Sequence, residues 1–270
     1  MKDAREQAPW RSTTRTLKDL LLDNFAAGIV PTPILGFPGV RDLSIFRVDW
    51  LHAVDQGVGL DWFGAVMWFL ISSTKFYAGA SREERLRAMW RSINIWYDSH
   101  RVADRLHKLT LLMLKKDKST SMPKLKCMAG VCRALEGWVH DECNKLLDAS
   151  DGVEGAILHA SNHFHECFEL LRRSTIYRKD LMMESGRKFV LLYASLAEKL
   201  PRIFRCKPKV HLFLHLIQES DPKRTWTYRD EDWGGTASRL SRRRGARMGT
   251  KPFSSNTLDR FRMEPMIRIR

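Results

Sequence analysis

From Ser81 to Leu200 apolar residues return every three or four positions, a period that a helix can bury along one stripe and a strand cannot. The block opens on "SREE", where the Ser81 hydroxyl can take a backbone amide of the first turn and Glu84 can reach back to cap the chain before it. Leu86, Met89, Trp90, Ile93, Trp96 and Tyr97 then form one stripe, and "ADRLHKLTLLML" extends the same spacing, so one or two long helices are predicted there. Another helix is predicted from "SMPKLKC", with Pro123 in its first turn and Cys127, Val131, Leu135, Trp138 and Val139 as its apolar face. "DASDG" ends it. Two more helical patterns cover about 153–173 and 176–200, and Pro201 stops the second. Residues 81–200 therefore read as an all-α domain.

The flanks have a different texture. Residues 1–40 read as an irregular N-terminal segment, because Pro31, Pro33 and Pro38 with Gly36 and Gly39 forbid a continuous helix in "PTPILGFPGV". "LSIFRVDWLH" has partial alternation through Leu43, Ile45 and Val48, which suits a short buried strand ending near Asp49. Helical spacing follows through Leu60, Phe63, Val66 or Met67, and Leu70. Beyond Pro201, a helix is predicted at "KPKVHLFLHLIQES", then a loop at "DPKRTWTYRDEDWGG" and a basic tail at 251–270. No internal repeat is visible.

The chain of 270 residues carries a formal net charge of +15. A field of that sign attracts polyanions, and nucleic acid is the expected partner. From residue 220 onward thirteen Lys or Arg stand against six Asp or Glu. "SRLSRRRGAR" is the densest part, so Arg239, Arg242, Arg243, Arg244 and Arg247 are candidate phosphate contacts, joined by Lys207 and Lys209 at the start of the last helix. The longest apolar run, "WFGAVMWFLI", is shorter than the roughly 20 residues that span a bilayer, so no membrane partner is expected. No secretory leader is expected from "MKDAREQAPW", which has no apolar run after its first basic residue, and the five scattered cysteines read as reduced core thiols. These features predict an intracellular protein, nuclear if DNA is its partner.

Two clusters raise the question of chemistry. Asp49, His52 and Asp55 lie within seven positions, and Asp230, Glu231 and Asp232 form a second acidic group far along the chain. Carboxylates from distant segments are what a two-metal phosphoryl-transfer site needs, since hard divalent ions take oxygen ligands. The competing reading makes Asp49 and Asp55 helix caps, the acidic trio solvated, and His52 a packed histidine. His159, His163, His165 and Cys167 invite a zinc reading, but Cys167 falls on an apolar stripe with Phe164, Phe168 and Leu171 and has no paired cysteine. His211 and His215 stand at i, i+4 without the glutamate of a metalloprotease motif. No phosphate-cradling Gly-rich loop, nucleophile elbow or dinucleotide fingerprint is present, which leaves kinase, hydrolase and dehydrogenase functions without support.

Three stretches, "FRVDWLHAVDQGV…FGAVMWFL", "KPKVHLFLHL" and "YRDEDWGGTASRL", together resemble cut-and-paste DNA transposases of the broad CACTA, Zisupton and hAT style, in which an RNase H-like core is interrupted by a helical insertion. The likeness lies in about 41–78 and 190–262, with 81–200 matching as the insertion. It implies a mostly α chain with a partial RNase H-like α/β remnant at 41–78 and 207–250. Carried over by position, Asp49 with His52 and Gly57 fills a D-x-x-H-x-x-x-x-G block and stands for the second catalytic aspartate. Glu231, or alternatively Glu219, stands for the final acid. The pair would hold Mg²⁺ or Mn²⁺, and the chain, if active, would be a metal-dependent DNA transposase or nuclease. The stretch before "RDLSIF" offers no strand unit for the first aspartate, Asp3 and Asp23 being in polar or helical contexts, so a truncated, catalytically impaired DNA-binding protein is expected. The rival reading is a non-enzymatic basic scaffold for RNA or protein, with Trp90, Trp96 and Trp138 in an exposed groove.

Overall fold

A computed structural model describes residues 16–30, 47–115, 121–173, 176–219 and 221–228. The described chain is mostly helical: α1 (Leu17–Ala26), a π-helix (Leu51–Val58), α2 (Gly59–Ser72), α3 (Arg82–Ser99), the single turn α4 (Leu111–Leu114), α5 (Ala129–Leu146), α6 (Glu154–Arg173), α7 (Lys179–Lys199) and α8 (Pro208–Glu219). No strand occurs among the described residues. Contacts divide the chain into two units, Met1–Thr225 and Trp226–Arg270, and all of these helices belong to the first.

α3 begins where its capping box requires. The Glu84 amide donates to Ser81 Oγ at 3.2 Å, and Glu84 Oε2 accepts the Ala80 amide at 2.7 Å. The helix does not run on through "ADRLHKLTLLML". Arg101 takes a left-handed φ of 50°, and the Val102 amide turns back to the Tyr97 carbonyl at 3.0 Å. Arg105 then closes the end, donating to the carbonyls of Tyr97 at 3.0 Å and Val102 at 2.7 Å while pairing with Asp98 at 2.6 Å. A guanidinium on the last free carbonyls outcompetes continued winding, because those acceptors need donors and the dipole there favours a cation.

The helix predicted from Pro123 begins only at Ala129. Residues 121–128 instead lie extended across α2 and α4, their backbone held by Lys124 N–H to Leu114 O at 2.6 Å, Leu125 N–H to Leu60 O at 2.9 Å and Lys126 N–H to Met113 O at 2.9 Å. Gly64 makes that approach possible: a Cβ there would sit 2.6 Å from the backbone of Lys124 and collide with the Leu125 amide.

The strand predicted at "LSIFRVDWLH" is also replaced where it is described. Arg47, Val48 and Asp49 are irregular, and the chain is helical from Trp50, while 43–46 lie outside the described residues. The Asp49 carboxylate takes the His52 amide at 2.9 Å, a side-chain acceptor on an open first-turn donor. Trp50 is fully buried, edge-on to Phe168 at 5.4 Å and to Phe213 at 6.1 Å.

The core is aromatic. Phe164 of α6 stacks on Phe189 of α7 at 4.4 Å, and Trp62 of α2 meets Phe189 and Tyr193 edge-on, both at 5.3 Å. Burying each such ring contributes about 1.5–3 kcal/mol, with roughly 0.5–1.5 kcal/mol more from ring pairing. Cys132, Cys143 and Cys167 are buried thiols, and Cys127 and Cys206 are half-buried. Trp138 is fully buried. No helix among the described residues is long and apolar enough to cross a membrane.

Gly64→Ala is expected to destabilise the protein by about 2 kcal/mol or more, because backbone rather than a flexible side chain must move. Gly152, where an added Cβ would meet nothing within 4 Å, is the control. Urea unfolding of Gly64→Ala and Gly152→Ala side by side reads the difference.

Candidate functional site

The π-helix and α8 meet at a lysine. Lys209 Nζ donates to the His52 carbonyl at 2.7 Å and the Gln56 carbonyl at 3.3 Å. Its stem crosses Gly57, where a Cβ would lie 2.5 Å from Lys209 Cδ. The "DWLHAVDQG" block and "KPKVHLFLHL" are therefore in direct contact. On the outer side, His52 Nδ1 lies 2.6 Å from Asp49 Oδ2, so a carboxylate orients a half-exposed imidazole. Such a pair can pass a proton.

Beside it, Asp61 of α2 is almost wholly buried and takes Lys207 Nζ at 2.6 Å, with Lys124 Nζ at 4.0 Å. Two lysines thus approach one carboxylate, and Lys209 lies within its electrostatic reach. Burial, then repulsion from Lys124 and from Lys207, pushes Lys209 below the ordinary lysine range against the pull of Asp61. Lys207 and Lys209, read from sequence as nucleic-acid contacts, both carry internal bonds. Asp61 and Lys124 escaped the sequence reading, although an acid inside the apolar run of α2 requires a cation, and that was the signal to follow.

The other candidates fall as follows. Glu219, the alternative final acid, pairs with Arg47 at 3.5 Å, two positions ahead of Asp49. Glu231, Asp230 and Asp232 lie outside the described residues, as do Arg239, Arg242, Arg243, Arg244 and Arg247. Asp55 is fully buried within the π-helix. Burial pushes it up to about 8; Arg133 and the Trp50 indole oppose the rise, Asp49 adds to it, and Arg172 weakly opposes it. Cys167 is buried on the apolar stripe. His165 bonds Glu136 at 2.6 Å, the same carboxylate that takes Arg172 at 2.7 Å. His211 and His215 face each other through Nε2 atoms 2.9 Å apart.

Mg²⁺ or Mn²⁺ needs several oxygen donors around one point. Among the described residues no group of three His, Cys, Asp or Glu could hold a metal ion. Asp49 has His52 on its carboxylate and Arg47 and Lys209 nearby in chain or space, a setting that suits an anion better than a dication. Of the two carboxylates expected to hold the metal, Asp49 is described and Glu231 lies outside the described residues. No known protein family, curated protein or solved structure matches the chain.

Folded Asp55 holds its proton up to about pH 8, against an ordinary value of 3.8. The stability it contributes is fully present below the ordinary value and is lost as pH rises toward about 8, because only the folded chain binds that proton in between. Asp55→Asn, which cannot ionise, is expected to gain on the parent by on the order of 1 kcal/mol per pH unit between about pH 5 and about pH 8. Chemical unfolding at a series of pH values measures this, and a pH-independent gap between the two proteins would show Asp55 to be ionised when folded.

Proposed function

We propose that this chain is a transposase-derived DNA-binding protein in which the Asp49 block and α8 are the remnant of an RNase H-like core, with α3 to α7 as its helical insertion. The observation that carries the reading is the bond from Lys209 to the His52 carbonyl, which joins two of the three stretches on which the resemblance rests. The third stretch begins at Tyr228 and lies otherwise beyond the described residues.

DNA would be held by charge. Lys124 and Lys207 stand at the Asp61 carboxylate and Lys209 lies within its electrostatic reach, so the cluster keeps an excess of positive charge that a phosphodiester can neutralise. Lys124 is better placed for this than Lys207, with 42% of its side chain exposed and a longer distance to Asp61. The arginine-rich stretch from Arg239 to Arg247 adds a sequence-independent contribution through counterion release. The His52–Asp49 pair at the edge of the cluster would be positioned against the bound backbone.

The scaffold reading draws on one observation as well. Trp138 is buried and offers no surface, but Trp96 lines an open cleft between α3 and α5.

Fluorescence anisotropy of the full chain with duplex DNA over a salt series tests the DNA reading. Lys124→Ala is expected to lower the magnitude of the slope of log K against log salt by roughly 1, and Arg242→Ala with Arg243→Ala and Arg244→Ala by roughly 2 to 3, equally on matched and random sequences. Slopes unchanged in both variants would remove DNA as the partner.

A further inference from the structure

The histidine pair of α8 has no role in the DNA reading. α8 turns an apolar face inward, Phe213 and Ile217 being fully buried, and His211 and His215 stand one turn apart on its half-exposed rim. Their Nε2 atoms lie 2.9 Å from each other, with ring centroids 4.4 Å apart and ring planes crossed at 83°. His211 Nδ1 is buried, so that ring presents Nε2 to its neighbour and keeps the other nitrogen inside.

That separation has two chemical uses. With a proton on one Nε2 it is a hydrogen bond between rings, and with both protons on Nδ1 it brings two lone pairs to one place. Imidazole binds transition ions at about 2.0–2.1 Å, so the distance between two donor nitrogens reports the angle at the ion. A tetrahedral angle spreads them to about 3.3 Å and a right angle to about 2.9 Å. The observed 2.9 Å is the right-angled value. Right angles belong to tetragonal Cu²⁺ and Ni²⁺ sites, tetrahedral ones to Zn²⁺, and imidazole donors do not suit the hard Mg²⁺ and Mn²⁺. The local charge admits a cation: Lys207, one turn before His211, bonds Asp61 at 2.6 Å, and the half-exposed Glu219 stands one turn after His215 with Arg47 at 3.5 Å.

We propose that His211 and His215 form a two-histidine site for a tetragonal divalent transition ion, Cu²⁺ before Ni²⁺, bound through both Nε2 atoms. Binding requires a tautomer shift in one ring and no movement of the backbone, because the nitrogens already stand at the spacing of the complex. No group of three His, Cys, Asp or Glu among the described residues could hold a metal ion, so water completes the coordination and the site stays open to exchange. The ion clips two successive turns of α8, the helix that carries Lys209 to the π-helix, and stabilises the folded chain because the unfolded one does not hold the two rings together. The inference is independent of DNA binding.

The full chain, stripped with EDTA and desalted, is titrated calorimetrically with Cu²⁺, Ni²⁺ and Zn²⁺ in turn. A saturable Cu²⁺ site is expected, with weaker binding of the other two ions. Electron paramagnetic resonance of the parent with one equivalent of Cu²⁺ should give a tetragonal spectrum with two nitrogen donors, a result that needs no variant to fold. His211→Ala and His215→Ala should each weaken Cu²⁺ binding at least about tenfold, since loss of even an outer partner of a ligand costs about 10–100-fold, and should remove the rise in unfolding temperature that Cu²⁺ gives the parent. His159→Ala, which breaks the other histidine pair at i, i+4, should leave both readings unchanged. Absence of a saturable site, Zn²⁺ bound as tightly as Cu²⁺, a spectrum without two nitrogen donors, or Cu²⁺ binding indifferent to both α8 substitutions would each overturn the proposal.

Discussion

The ammonium group of Lys209 is the interaction on which the arrangement of the site depends. Lys209 ties α8 to the π-helix by donating from its ammonium group to the His52 and Gln56 carbonyls. That bond can form only because Gly57 has no side chain in the path of the lysine stem. It also sets the depth of α8, whose Phe213 reaches Trp50 and Phe189 in the core. Polar closure at the surface and aromatic packing beneath it are thus two ends of the same contact between α8 and the π-helix.

Buried acids in this basic chain follow two opposite solutions. Asp61 is met from outside by Lys207, and Glu136 by Arg172 and His165, so each has a cationic or histidine partner at hydrogen-bond distance. Asp55 is surrounded differently. Arg133 and Arg172 pull on it too weakly to offset burial, and the group avoids the cost of a buried charge by keeping its proton near neutral pH. The first solution fixes helices to one another. The second leaves a titratable group inside the π-helix, close to the Asp49 and His52 pair in the chain.

Much of the helical architecture was legible in the sequence, and the reasons are local. α6 and α7 carry unbroken stripes ended by Arg173 and Pro201, and the Ser81–Glu84 box starts α3 where its spacing says. Illegible elements were those decided by distant partners. "ADRLHKLTLLML" has helical spacing, but Arg105 bends back onto the end of α3, and "SMPKLKC" is drawn out because Gly64 gives its backbone a seat on α2. Asp49 was read at the end of a strand and is found at the start of a helix, which the alternation of Leu43, Ile45 and Val48 could not show. The wide turn from Leu51 to Val58 has no signature in composition at all. In the site, neither the contact between the Asp49 block and α8 nor the internal bonds of Lys207 and Lys209 was legible, since a lysine count gives charge and not the carbonyl or carboxylate that takes it.

Those internal bonds change how the lysine cluster has to be understood. If Lys207 simply cancelled Asp61, the site would be neutral and of no interest to an anion. The presence of Lys124 and Lys209 beside that pair leaves like charges crowded together, and the lowered affinity of Lys209 for its proton is the mark of that crowding as well as of burial. An incoming phosphate would relieve the repulsion and hold Lys209 in its charged form, so anion binding and protonation at this lysine favour each other. The lowered proton affinity of Lys209 and the proposed pull on a phosphodiester thus share a cause, the like charges beside Asp61.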